Sequence, residues 1–571
     1  MSIGKIRRFA TPSAHFDSFR PPRLLRRATR PSARRLAMHR ARHAVRLTTR
    51  ARTSLSSAAA PTGKLALQPA GRRPDFTDPR LAFAQTSTPE LLRGAAVLTA
   101  CSQQWLVRRC ERLLALSNRV VGERATQAVL RHSIFAHFVA GECEATIAPK
   151  LQRLRAQGVG GILDYAAEAK LEADGAAPLL VTNQPARVYP YAGEEECDAN
   201  LRIFLSAVRA VHATTPDGFA AIKVTALGDP KLLERVSSAV LALRAFYETL
   251  DCGRGQLTCA QFVEGWTQAF DVTAEEAAEL FERFDNNKDG SLDSLEFTNS
   301  LALEEVPELV LRCRSKGPLF VSALSPDEMG AFSNMMSRLD TIAELACQLG
   351  VRLMVDAEHT YFQPCIDHAV LRLQRKYNKE YPAVFGTYQA YLVDCNSTLQ
   401  IDLERARREG FHLGAKLVRG AYMVHERERA KKRGYPDPIQ PTVQATHDSY
   451  NRAVEAILVN APCPDKTSLV LATHNQQSVE LAVDKILKDQ SCISRDRIYF
   501  AQLYGMADHL TFTLAAEGFK SYKYVPYGPV SEVLPYLIRR AQESENSDAL
   551  SGASQQRAMM LREVRYRWIG F

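Results

Sequence analysis

One local pattern recurs eight times between Gly158 and Gly528 and leaves the chain very few folds to adopt. A short apolar or β-branched run climbs and stops at a polar residue able to do chemistry. The runs are Gly158–Tyr165, Phe219–Leu227, Val351–Glu358, Ala383–Leu392, Leu413–Tyr422, Ser468–Asn475, Arg497–Leu503 and Lys520–Gly528. Most are followed by helical apolar spacing, as at Val479, Leu481, Ala482, Ile486 and Leu487. Strand then helix, repeated eight times, predicts an α/β fold of the (β/α)8, TIM-like barrel type. Active sites of such barrels lie at the carboxyl ends of the strands. Here those ends carry Asp164, Lys223, Asp356, Glu358, Gln389, Arg419, Tyr422, Thr473, His474, Asn475, Gln502 and Tyr524. Packing alone has no use for so many polar groups, so the pattern predicts an enzyme.

Charge is unevenly placed. Residues 1–60 carry Lys5 and fourteen arginines against one acid, Asp17, and so hold +14 in a chain whose total is +10. The remainder is therefore −4, which argues against a nucleic-acid surface. An Arg-, Ser- and Ala-rich, nearly acid-free start matches a mitochondrial transit peptide over 1–60, and it lacks the apolar core of a secretory signal. No run of about 18 apolar residues predicts a membrane-spanning helix. The 12 cysteines include no C-x-x-C pair and read as ordinary thiols of a reduced compartment rather than disulfides or zinc ligands.

Residues 61–90 read as a linker and 91–157 as an N-terminal helical arm, with helical apolar spacing from Leu92 to about Ala140. The barrel is expected over 158–550. Its second and third strands are separated by more than 120 residues, far beyond the roughly 20–40 of an ordinary connection. The excess, placed at 235–310, carries an EF-hand pattern in the loop 285–296. Asp285, Asn287, Asp289 and Asp293 fall at the oxygen-ligand positions, and Ser291 offers its carbonyl. Gly290 makes the sharp turn and Glu296 can clasp the ion bidentately. The segment Phe246–Trp266 has the outline of a partner hand, but Cys252, Arg254 and Gln261 stand where ligands belong. One Ca2+ per chain is the expectation.

After the eighth run, Ser531 is a suitable N-cap for a closing helix that bears Arg539 and Arg540, with Glu543 four residues after Arg539. Two adjacent planar forks suit an anionic carboxylate or phosphate. Taken alone, such a doublet is more often a solvated surface feature.

The segments LMVDAEHTYFQP, GAKLVRGAY, ATHN, QLYGM and YKYVPYGPVSEVLPYLIRRAQE together resemble the proline dehydrogenase family, the mitochondrial proline oxidases. The resemblance covers residues 125–545 apart from the insert. It implies a distorted barrel holding non-covalent FAD, with L-proline oxidised to pyrroline-5-carboxylate and the electrons passed to ubiquinone. In agreement, no G-x-G-x-x-G follows any predicted strand. It implies further that Arg539, Arg540 and Lys223 hold the substrate carboxylate, with Glu543 orienting the arginines. Leu503, Tyr524 and Tyr536 would pack the ring, Tyr422 would close the pocket, and Asp356 belongs to the same catalytic group. Gln389, Lys416, Val418, Arg419, Ala421, Thr473, His474 and Asn475 fall at the family's FAD-holding positions. Lys416 and Arg419 exchange the cations that bacterial relatives often carry there. The resemblance also implies the matrix side of the inner mitochondrial membrane, touched peripherally, and no nucleic-acid partner. Two other readings stand beside this one: a hydroxyproline dehydrogenase on the same fold, and a calcium-binding adaptor with an inactive barrel.

Overall fold

The computed structural model describes residues 72–166, 191–215, 217–301, 303–543 and 547–569, with no side chain described at 111 or over 542–551. The expected leader at 1–60 lies outside the described residues.

Eight parallel strands close into a barrel. They are β1 (Val159–Tyr165), β2 (Phe219–Ile222), β5 (Arg352–Val355), β6 (Val384–Gln389), β7 (Leu413–Val418), β8 (Thr467–Ala472), β9 (Ile498–Leu503) and β10 (Ser521–Tyr527). The order around the barrel is β1-β10-β9-β8-β7-β6-β5-β2. Closure is made by β1 on β10, in register from Val159 opposite Ser521 to Tyr165 opposite Tyr527. Each predicted run overlaps one strand and all eight strands are shorter than their runs, with β8 beginning at Thr467, one residue ahead of its run. In β2 the run expected to reach Leu227 ends at Ile222 and turns into a 3-10 helix, Val224–Ala226.

Side chains of a strand alternate between its faces, and that alternation builds two layers inside the barrel. Ile162, Phe219, Met354, Phe385, Val470, Tyr499 and Tyr522 fill the lower interior as one apolar cluster. Phe219 meets Phe385, Tyr499 and Tyr522 edge to face at 5.3, 5.5 and 5.3 Å. Two inward glycines make room for this plug. A Cβ on Gly160 would lie 2.2 Å from the Tyr522 ring, and one on Gly414 2.8 Å from that of Phe385. Above this plug, five of the strands turn polar: the inward positions become Asp164, Thr387 and Lys416 and, just past the ends of β2 and β5, Lys223 and Asp356, which form the polar upper layer. Outward residues such as Leu413, Ala415, Leu417, Leu469, Leu471 and Phe500 are buried under the surrounding helices.

The arm is helical as expected, with helices Thr88–Cys101, Gln104–Arg108, Cys110–Val120, Glu123–Leu130 and Glu144–Ala156. The expected linker departs from its reading. Within it Asp78 caps a short helix, Pro79–Phe83, and Phe83 is buried. A final helix, Ser547–Ile569, packs on Thr88–Cys101 through Met559, Met560 and Val564. No sequence reading anticipated it.

The insert between β2 and β5 is helical. Helices Pro230–Asp251, Cys259–Ala269, Ala274–Phe284 and Ser294–Ser300 surround a two-residue antiparallel ladder of β3 (Leu257–Thr258) and β4 (Ser291–Leu292). Phe262, Trp266, Phe270, Phe281, Phe284 and Phe297 form its core, with Phe262 stacked on Trp266 at 4.8 Å. No disulfide joins cysteines among the described residues.

Candidate active site

The polar layer opens into a cavity of about 420 Å³ at the carboxyl ends of the strands. Sixteen of the seventeen residues proposed for substrate and cofactor line it: Lys223, Asp356, Tyr422, Leu503, Tyr524, Tyr536, Arg539, Arg540, Gln389, Lys416, Val418, Arg419, Ala421, Thr473, His474 and Asn475. Glu543, the seventeenth, ends the helix Leu534–Glu543, and its side chain lies outside the described ones.

The floor is a network of opposite charges. Lys223, at the end of β2, pairs with Asp164 of β1 at 3.3 Å. Asp356, just past β5, accepts from Lys416 Nζ and, at 2.6 Å, from the Tyr524 hydroxyl. Burial works to raise the Asp356 pKa, but Lys416 and Lys223 with the two hydrogen bonds outweigh it and hold the carboxyl below its ordinary value. Burial, with Asp164 and Asp356 close by, pushes the Tyr524 phenol well above its ordinary value, so it stays a donor. Two carboxylates and two ammoniums neutralise one another, as buried charges must.

Glu358 stands two residues past Asp356, against the 3-10 helix that follows β2. It accepts from Thr225 N at 3.1 Å and Thr225 Oγ1 at 2.6 Å, while its carbonyl accepts from Gln389 Nε2 at 3.0 Å. Burial raises its carboxyl to about 7 and the two Thr225 bonds only partly offset that. It is absent from the cavity wall, and its place is that of a group orienting Gln389.

Also lining the cavity, Arg419 donates to His447 Nδ1 at 2.9 Å, Thr473 Oγ1 at 2.6 Å and Ser478 Oγ at 2.9 Å, with its guanidinium 4.3 Å from the Tyr450 ring centre. Neutral acceptors on three of its atoms fix the fork without cancelling its charge. His474 Nε2 accepts from Leu503 N at 3.0 Å, and burial lowers its pKa to about 3, so the ring is neutral. That acceptor role assigns the proton to Nδ1. Asn475 Oδ1 accepts from Ser478 N at 2.9 Å and caps the helix Gln476–Leu487.

The closing helix reverses the default reading of its arginine doublet. Arg539 is 6 % and Arg540 5 % exposed, both on the cavity wall. Val533, Tyr536, Leu537 and Ala541 bury the helix in the cluster that includes Val107 of the arm. The Tyr536 ring lies 4.8 Å from the Arg540 guanidinium, within cation–π range.

Sequence reasoning passed over Thr387, His447 and Met506, which also line the cavity. Thr387 was findable, because it stands two residues before Gln389 on the same inward face. His447 comes from the helix Val443–Leu458, and no local signal marks it.

The six expected metal ligands lie in the insert, away from this wall. Asp285 accepts from the loop nitrogens of Asp289 and Gly290, and Asp289 from Ser291 N and Oγ. Asp293 caps the helix Ser294–Ser300 and is ion-paired with Arg408 of the helix Cys395–Glu409. Asp293 N donates to Glu296 at 3.2 Å. Among the described residues no three His, Cys, Asp or Glu side chains are gathered as for a metal ion.

Residues 147–555 match the family model described as proline dehydrogenase. Proline dehydrogenase 1, mitochondrial, of Drosophila melanogaster is 36% identical over 552 residues, covering 86% of this chain and 80% of that one. The protein of the same name in Caenorhabditis elegans is 37% identical, covering 86% and 88%. A hydroxyproline dehydrogenase of Bos taurus is 32% identical, covering 86% and 92%. Proline utilization A of Bdellovibrio bacteriovorus, a solved structure, aligns with a TM-score of 0.48 at 16% identity over 84% of this chain and 38% of that one. The chain belongs to the proline dehydrogenase family.

Proposed function

We propose that this chain is a mitochondrial, FAD-dependent enzyme that oxidises L-proline to pyrroline-5-carboxylate and delivers the electrons to ubiquinone, the first step of proline degradation. The observation that carries the reading is the pair of buried guanidiniums, Arg539 and Arg540, lining the same cavity as Arg419 and Lys416. Proline is a small apolar ring with a carboxylate. Arg539, Arg540 and Lys223 bind the carboxylate, Leu503, Tyr524 and Tyr536 enclose the ring, and Tyr422 shuts the pocket against water. Substrate is thereby held in one orientation, which is the protein's main contribution to such a reaction.

The donor set suits a flavin. Lys416, Arg419, Gln389, Thr473, His474 and Asn475 put cations and neutral polar groups beside the apolar wall of Val418 and Ala421. When bound, FAD supplies the two-electron oxidant. The adaptor reading has no use for buried cations gathered around a cavity. Purified protein is expected to be yellow and to bleach when L-proline is added without oxygen. A flavin spectrum that proline leaves unchanged would overturn the assignment.

Two further parts belong to this reading. Residues 1–60 direct import, in keeping with relatives named mitochondrial. A reporter fused to them should enter mitochondria, and a cytosolic reporter would refute it. The loop 285–296 would hold one Ca2+ through the oxygens of Asp285, Asn287, Asp289, Ser291, Asp293 and Glu296. Calorimetry should find one ion per chain, and none after Glu296→Gln. Absence of binding in the unmodified protein would reduce the loop to an Asx-rich turn.

A further inference from the structure

The arm carries two helices that contribute little to the core. None of the described side chains of Cys110–Val120 is buried, and in Glu123–Leu130 only Thr126 is. Ser117 Oγ and Thr126 Oγ1 lie 2.8 Å apart and hold the two helices together as a hairpin. Along the first helix Leu113, Leu116 and Val120 recur at the spacing of a single face. Leu116 is 57 % and Val120 72 % exposed, and Val129 on the second helix is 68 % exposed. Trp105, on the preceding helix, is 60 % exposed. A soluble helix ordinarily buries such a stripe, and one left in water marks an interaction surface.

The charges beside the stripe say what covers it. Residues 104–131 hold six arginines, at 108, 109, 112, 119, 124 and 131, against Glu111 and Glu123, on a body that is −4 once residues 1–60 are set aside. Arg112 and Arg119, seven residues apart, run along the edge of the stripe Leu113–Leu116–Val120. An apolar stripe edged by arginines is the make-up of a helix lying in an anionic lipid surface. A second copy of this chain would bring the same arginines face to face in a two-fold contact, which like charge opposes. No helix among the described residues is long and apolar enough to cross a membrane.

We propose that the hairpin 110–130, with Trp105, is the element by which this protein lies on an anionic phospholipid bilayer. The inference deepens the quinone reading and rests on it for its purpose. The adjoining helix Gln104–Arg108 packs on the closing helix Leu534–Glu543, so lipid contact falls beside the element that bears Arg539 and Arg540. A lipid-soluble acceptor would then be met next to the substrate pocket.

The test uses the full chain with Trp568→Phe, which leaves Trp105 as the exposed tryptophan, since Trp266 is buried. Vesicles of brominated phosphatidylcholine and phosphatidylglycerol should quench Trp105. The bromines sit on acyl chains, so mere adhesion through the basic N-terminal segment does not produce the signal. Leu116→Asp with Val120→Asp should abolish quenching. Arg112→Gln with Arg119→Gln should weaken vesicle binding by about thirtyfold, from about fivefold per arginine. Absence of quenching in the parent, or quenching unchanged by the aspartates, overturns the proposal. So does a parent that dimerises through this stripe in ultracentrifugation. Dye-linked proline oxidation is the separate control: its absence in the parent overturns the proposed reaction, while quenching still decides the docking.

Discussion

Replacing Arg540 by alanine should lower kcat/KM for L-proline by about a hundredfold with a dye as electron acceptor. Hydrogen bonds to charged groups contribute about 1.5–3 kcal/mol, and each 1.4 kcal/mol is a factor of ten, so one guanidinium accounts for roughly one to two decades. The site is buried, which places the effect toward the upper end, because water cannot take over the substrate carboxylate. Arg540→Lys should recover part of the loss, since it keeps the charge and gives up the fork. The Arg539/Arg540 double alanine should fall well short of the product of the single effects, because both forks serve one ligand. The closing helix is anchored by Val533, Tyr536, Leu537 and Ala541, so the melting temperature should move little. A loss under threefold in Arg540→Ala would remove this residue from substrate binding.

The second large effect concerns substrate choice and rests on Tyr524. Its hydroxyl is already committed to Asp356 at 2.6 Å, and its ring lies on the cavity wall. A 4-hydroxyl on the substrate would meet that ring without a partner, at a cost of about 1–3 kcal/mol, which is roughly tenfold or more in discrimination. L-Proline should therefore be preferred over trans-4-hydroxy-L-proline. Tyr524→Ser should narrow the gap by making room. It should also reduce turnover of proline itself, since the ring loses its packing surface and Asp356 loses one of its two donors. Comparing kcat/KM for both substrates on both proteins decides the matter, and an unmodified enzyme that prefers hydroxyproline would overturn it.

Much of this site was legible in the sequence because a strand repeats its facing every second residue. Met354 and Asp356, or Tyr522 and Tyr524, are apolar plug and polar rim on one strand, and their spacing says so before any fold is known. The resemblance extended the reading to Arg539 and Arg540, whose own helix gave no sign that they would be buried. Caps were less legible: Ser531 is a suitable cap by its side chain, yet the closing helix begins three residues later, at Leu534.

What stayed hidden depends on partners far along the chain. Lys416 and Asp356 are 60 residues apart, Tyr524 and Asp356 are 168 apart, and only barrel closure brings them together. The linker reading missed Pro79–Phe83, and nothing anticipated Ser547–Ile569, because each is stabilised by burial against other elements rather than by its own propensity. Periodicity and capping are properties of neighbours, so the sequence by itself determined the eight strand–helix units, the inward faces and the family. Which charges pair, which arginines leave water and which apolar stripe remains exposed are properties of the closed shape. The tertiary structure decided them, because the cost of burying a charge is met only by groups that the fold brings alongside it.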